Sequence, residues 1–193
     1  MTGKLRKAQR KTGYISAPRY WNRINGLKKY ICNDTASEII KFAKAYQVDT
    51  IVFEHLGSLK IPKGTYGAKR LRFKIHHWTR LGIQNKVEEM AHCLGMRISR
   101  VNPKNTSSLA FDGSGEVVRN PKKDVATFKN NKIYHCDLSA SYNIGARFYL
   151  RAIQKSMTEK AWSQLTAKVP SVAVRNQWTL ASLITLKTVY NFS

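Results

Sequence analysis

The chain has 193 residues, 42% of them apolar and 10% aromatic, with 34 Lys plus Arg against 11 Asp plus Glu and a formal charge of +23. That length and apolar content fit one domain with a real core, with room for a small insertion, and exclude a disordered chain. The charge points to a polyanionic partner, nucleic acid first, held through phosphate contacts that salt weakens. No partner membrane is expected: no stretch approaches the roughly 20 apolar residues of a span, and no basic helix carries a long, clean apolar face.

The first acid along the chain is Asp34. Before it, residues 1–33 form a basic arm in which Lys4, Arg6, Lys7, Arg10, Lys11, Arg19, Arg23, Lys28 and Lys29 alternate with Tyr14, Tyr20, Trp21 and Tyr30. Unopposed like charges predict an extended arm that turns helical only on an anion. The aromatics offer stacking surfaces for a nucleic acid, which a merely solvating tail does not need. The first 30 residues, basic and broken by Gly and Pro, contain no apolar leader-type stretch.

A helix is predicted over 34–47, started by a capping-box pattern in Thr35-Ala36-Ser37-Glu38, with Ile39, Ile40, Ala43 and Tyr46 on one face. Residues 48–54, mostly apolar and β-branched, read as a strand covered on both faces. A basic linker follows over 57–74, then a helix over 76–94 that Gly95 stops. His76 and His77, at the start of that helix, could touch phosphate. Residues 96–101 alternate as a strand. Strand, helix and strand in succession predict a parallel crossover and an α/β sheet.

Residues 102–108 read as loop, Asp112-Gly113-Ser114-Gly115 as a turn, and 126–134 as a hairpin around Asn130-Asn131. A helix follows over 138–156, with Ala140, Ile144, Phe148 and Ala152 at four-residue steps. Shorter helices are expected before Pro170 and around 177–190. Cys32, Cys93 and Cys136 form no C-x-x-C pair and read as thiols in a reducing compartment.

Two carboxylates stand out in so basic a chain. Glu54 ends the apolar strand, and Asp137 opens a helix, where the helix dipole favours negative charge. Carboxylates from different elements converging on divalent ions are what metal-dependent phosphodiester cleavage requires. Taken singly, Glu54 also fits a partner for one of the many lysines, and Asp137 an ordinary N-cap. Asp112, Glu116 and Asp124 read as turn or surface acids, and Glu88 and Glu89 as ion-pair partners of nearby basic residues.

The order of these segments carries a resemblance. Val48-Asp49-Thr50-Ile51-Val52-Phe53-Glu54-His55-Leu56 resembles the second RuvC motif of the OrfB/TnpB proteins of insertion-sequence transposons, a family related to the type V CRISPR effector nucleases. Asp137-Leu138-Ser139-Ala140-Ser141-Tyr142-Asn143-Ile144-Gly145 is similar to the third motif. Between them, Gly95 to Ser107 resembles the passage leading into the family's zinc ribbon. The likeness covers roughly residues 20 to 160.

The resemblance implies an RNase H-like (RuvC) core and membership of a Mg²⁺-dependent, RNA-guided DNA endonuclease of transposase type. Glu54 and Asp137 would be catalytic carboxylates and metal ligands. Arg6, Lys7, Arg10, Lys11, Arg19, Arg23, Lys28 and Lys29 would contact guide RNA or DNA. The segments are then a basic bridging arm (1–33), a partial RuvC-like core (34–101), a degenerate zinc-ribbon-like insertion (102–136), the last RuvC-like helix (137–160) and a helical tail (161–193).

Two departures qualify this. The family's first motif is an Asp ending an early strand, and no Asp precedes Asp34. The ribbon's paired cysteines are missing after Ser107, so no zinc is expected and Cys136 reads as a packed thiol. The expectation is a core lacking its first strand, with Mg²⁺ held weakly or not at all. Such a chain binds nucleic acid without cleaving alone. The alternatives are a nuclease half completed in trans by an N-terminal fragment, and a non-catalytic DNA- or RNA-binding accessory protein. An open sheet edge predicts marginal stability until a partner covers it. The expected location is the bacterial-type cytoplasm, at the nucleoid.

Overall fold

The computed structural model describes residues 2–12, 18–55, 80–121 and 124–190. In chain order these form α1 (Thr2–Thr12), α2 (Pro18–Ala45), β1 (Thr50–Glu54), α3 (Arg80–His92), β2 (Arg97–Val101), β3 (Val118–Arg119), β4 (Val125–Thr127), β5 (Ile133–His135), α4 (Cys136–Ser156), α5 (Glu159–Lys168), two 3₁₀ turns (Pro170–Val172 and Arg175–Gln177) and α6 (Leu180–Val189). They divide into two compact units. One comprises Met1–Ile51 and Leu59–Ile98, the other Val52–Ser58 and Ser99–Ser193.

The first unit is built on α2 packed against α3. Ile24, Ala36, Ile40 and Ala43 of α2 and Val87 and Ala91 of α3 are buried. Alanine at so many of these positions keeps the helices close. Gly82 marks the tightest approach, because a Cβ there would lie 2.7 Å from the Cys32 Sγ.

Both helices hand over to strands by the same device. Gly95 is left-handed (φ 72°), its N–H donates to His92 O, and the Met96 N–H reaches back to Ala91 O. Gln47 (φ 51°) and Val48 repeat this on Lys44 O and Ala43 O. In each case a left-handed residue and two backward hydrogen bonds satisfy the last carbonyls of the helix. The glycine was legible as a stop; the glutamine was not.

Strands β1 and β2 pair with each other. The Arg97 N–H donates to Asp49 O near the start of both strands, and the His55 N–H donates to Val101 O at the end of both. The pair is therefore parallel, as the strand–helix–strand succession predicted. In the second unit, β3, β4 and β5 form an antiparallel sheet with Val118 opposite Thr127 and Ala126 opposite Tyr134. One face of it closes a small core of Ala110, Ala126, Phe128 and Cys136, so Cys136 is the packed thiol expected. A larger core of Leu150, Leu165, Val169, Val172, Trp178 and Leu186 joins α4, α5 and α6.

Several expectations need correction. The basic arm is not extended: its described residues are helical, and α2 runs without a break from Pro18 through the anticipated start near Asp34. Thr35 to Glu38 therefore lie inside a helix, where Glu38 pairs with Lys41 at 2.5 Å on the exposed face. Burial of Ile24 against the unit outweighs the like-charge repulsion on the solvent side. Strand β1 is not fully covered, every residue of it being half-buried. Strand β3 was not anticipated. The linker over 57–74, Tyr14, His76 and His77 lie outside the described residues. Among the described residues no helix is long and apolar enough to cross a membrane.

Candidate functional site

Glu54 is the last residue of β1 and half-buried. Beyond the end of β2 the chain turns through Pro103 and Asn105, the latter left-handed at φ 66°, and brings Thr106 back beside Glu54. The Thr106 hydroxyl is 2.8 Å from Pro103 O and 3.2 Å from Glu54 Oε1, so its one proton serves two acceptors. Thr106 is almost wholly buried.

The same threonine links Glu54 to α4. Asn143, with no exposed surface, donates through Nδ2 to Thr106 O at 3.0 Å and Leu109 O at 2.9 Å. Its Oδ1 accepts from the Leu180 N–H at 3.2 Å. One turn on, the buried Arg147 donates to four backbone carbonyls. Its Nη1 reaches Asn102 O (2.8 Å) and Lys104 O (2.6 Å), Nε reaches Trp178 O (3.2 Å), and Nη2 reaches Asn176 O (2.9 Å). Burial pushes this guanidinium below its ordinary value, and the nearby negative charge of Glu54 opposes that.

Asp137 lies exposed in the first turn of α4. It is not the N-cap. That role belongs to His135, whose Nδ1 accepts the Asp137 N–H at 3.3 Å. The Asp137 carboxylate thus sits at the positive end of the helix dipole with its side chain uncommitted to capping. From 137 to 143 the helix rises about 9 Å at 1.5 Å per residue. Glu54 and Asp137 are therefore fixed to one frame, Glu54 through Thr106 and Asn143, Asp137 through the helix that carries Asn143.

Carboxylates are the hard oxygen donors that Mg²⁺ takes. Among the described residues, however, no three His, Cys, Asp or Glu side chains gather to hold a metal ion. Glu54 and Asp137 by themselves do not make a cage for a divalent ion. The candidate nucleic-acid contacts belong to other elements: Arg6, Lys7, Arg10 and Lys11 to α1, and Arg19, Arg23, Lys28 and Lys29 to α2, exposed except for the half-buried Lys28.

Sequence reasoning singled out the apolar steps Ala140, Ile144, Phe148 and Ala152 in this helix. Of these Ala140 is buried, Ile144 and Phe148 are half-buried and Ala152 is exposed; the buried face also carries Cys136, Ser139, Asn143, Ala146, Arg147 and Leu150. The missed signal is a second set of four-residue steps, Ser139, Asn143, Arg147 and Arg151. A polar stripe beside an apolar one marks a helix facing loop backbone, whose carbonyls and amides need partners.

The fold matches that of a solved structure. Over 74% of this chain and 40% of the other, it superimposes on a chain of the Cas12f1–sgRNA–target DNA complex with a TM-score of 0.50 and 22% sequence identity. No protein-family model matches the chain. The chain shares an α/β fold with that solved structure. A TnpB-like protein of Aquifex aeolicus (strain VF5) is 31% identical over 150 residues, covering 72% of this chain and 48% of the relative. The chain belongs to the TnpB/OrfB family. It spans about half the length of that curated relative.

Proposed function

We propose that this chain is the nucleic-acid-holding, RuvC-like part of a TnpB-type RNA-guided DNA endonuclease, and that it does not cleave alone. The observation that carries this reading is the frame joining Glu54, Thr106 and Asn143 on the helix whose first turn carries Asp137. It puts the two acids of the family-like motifs at a strand end and a helix start, the positions from which converging carboxylates serve phosphodiester chemistry. The formal charge of +23 supports a nucleic-acid partner, guide RNA or target DNA.

In this reading a third carboxylate comes from a segment supplied in trans, and Mg²⁺ binds firmly only in the completed assembly. The three-stranded sheet β3–β5 is a metal-free counterpart of the zinc ribbon. The α1 and early α2 cations track a phosphate backbone. The sheet edge beside β1 stays exposed until a partner covers it, and the protein works at the nucleoid in the cytoplasm.

The test uses a nicking assay with labelled DNA, guide RNA and Mg²⁺. The chain alone is expected to bind and not cut. With an added fragment carrying an apolar strand that ends in Asp, it is expected to cut, and Glu54→Gln or Asp137→Asn abolishes that cutting. Cleavage by the isolated chain, lost in Glu54→Gln, overturns the view that it is inactive alone. Binding with no cleavage in any mixture favours the accessory-protein reading.

A further inference from the structure

A cavity of about 210 Å³ opens at the exit of β2, lined by Val101, Asn102, Arg147, Arg151, Arg175 and Trp178 among others. It is roomy beside the roughly 10–15 Å³ that a single buried water requires. Three guanidiniums therefore share its wall, two of them one turn apart on α4 and the third from the 3₁₀ turn Arg175–Gln177. No carboxylate lines it. None of the three arginines belongs to an ion pair among the described residues.

Neutral acceptors hold them instead. Arg151 donates to Arg100 O at 2.9 Å and to Ser99 Oγ at 3.1 Å. Arg175 is exposed and donates from Nε and Nη2 to Gln154 Oε1, at 3.0 and 2.5 Å. Its guanidinium carbon lies 6.0 Å from the Trp178 ring centre. These bonds orient the forks without neutralising them. A guanidinium has five N–H donors, so the Nη1 of Arg175 and the Nε of Arg151 keep donors that no described acceptor takes.

Arg147 differs. It is spent on loop carbonyls and feels Glu54. The remaining pair of cations faces a cavity without an acid, an arrangement that mutual repulsion disfavours until an anion enters. Fixed, planar forks match the oxygens of a phosphate. Trp178 is buried and edge-on to Trp162, so it offers no free face on which a base could stack.

We infer that this cavity is a phosphate pocket that takes one backbone phosphodiester of a bound nucleic-acid strand, gripped by Arg175 and Arg151 above a floor made by Arg147. The inference rests on the proposed reading of the chain as a nucleic-acid binder. Such a pocket positions a strand and reads no sequence.

The test is fluorescence anisotropy of labelled single-stranded oligonucleotides of several sequences with the full chain, over a salt series. Arg175→Gln is expected to weaken binding several-fold for every sequence. It should also reduce the slope of log K against log salt by about 0.7, the share of one phosphate contact on a single strand. Arg175→Lys restores most of the slope and only part of the affinity. Gln154→Ala, which removes the anchor and keeps the charge, leaves the slope unchanged.

Wild-type affinity and slope in Arg175→Gln, with an unchanged melting temperature showing that the variant is folded, overturn the pocket. Inorganic phosphate is the second probe. If it raises the melting temperature of the wild type but not of Arg175→Gln, while strand binding is equal in both, the pocket takes free phosphate and the strand assignment falls. A wild-type chain that binds no oligonucleotide at all fails at an earlier step, overturning the nucleic-acid reading itself.

Discussion

Helices α2 and α4 are both long and both half-exposed, yet they are held by opposite means. Helix α2 buries Ile24, Ala36, Ile40 and Ala43 and packs against α3, with small residues such as alanine and Gly82 allowing close approach. Helix α4 buries Ser139, Asn143 and Arg147 alongside its apolar residues, and these polar groups bond the backbone of neighbouring loops. An apolar contact is graded by volume and yields by small steps. A hydrogen-bonded frame has little tolerance, since each lost donor leaves a buried acceptor unpaired. The carboxylates of the candidate site are attached to the second kind of support, which fixes position more tightly than packing alone.

The sharpest way to test this contrast is Arg147→Leu. It leaves the carbonyls of Asn102, Lys104, Asn176 and Trp178 without their donor. A loss of about 3 kcal/mol or more is expected in urea unfolding followed by tryptophan fluorescence; a loss below about 1 kcal/mol would mean the frame is ornamental. Next comes Asn143→Ala, which removes three backbone partners. It should cost about 2–3 kcal/mol by the same measurement. It should also loosen Glu54, visible as weaker Mg²⁺-dependent activity in any reconstituted assembly.

On the other side of the comparison, Ala36→Leu overfills a position with no exposed surface. The expected cost is about 1–3 kcal/mol, seen in thermal melting, with the β3–β5 aromatic signals in near-UV circular dichroism unchanged.

The smallest effect concerns pH. At Asp112 burial pushes the carboxyl up, but hydrogen bonds from Ser114 and Asn130 and the charge of Lys132 outweigh it and hold it below its ordinary value of 3.8. A folded-state value below the unfolded one stabilises above the unfolded value, and that contribution is lost as pH falls through the folded one. The wild type is therefore expected to lose its small advantage over Asp112→Asn only in acid below 3.8. An advantage unchanged across that range contradicts the assignment.

Much of this fold was readable in advance, for physical reasons that differ from element to element. The β1, α3 and β2 succession, the Gly95 stop and the turn at Asp112–Gly115 were legible because each depends on local chemistry. Gly113 and Gly115 take φ of 79° and 113°, which side-chain-bearing residues resist. The course of α2 through the basic arm was not legible, because its cause is tertiary. Burial of Ile24 decides against a charge pattern that, in isolation, argues for an open chain. At the site, Glu54 and Asp137 were visible as rare acids, whereas Thr106, Asn143 and Arg147 were not. Asn143 and Arg147 bond backbone groups more than 25 residues away, Thr106 is tied to Glu54 only by the fold, and a backbone carbonyl leaves no mark in a sequence.

The Arg147 clamp also sets an order of events during synthesis. The loop at Asn102 and Lys104 emerges 43 to 45 residues before the arginine, and the carbonyls of Asn176 and Trp178 follow it by 29 to 31. Contacts so distant along the chain are slow to form. The first half of the clamp waits in water for its donor, and the full set closes only once Trp178 has left the ribosome. A nascent chain halted before Asn176 therefore holds Glu54 on a half-finished support, so the acid reaches its final setting among the last events of folding.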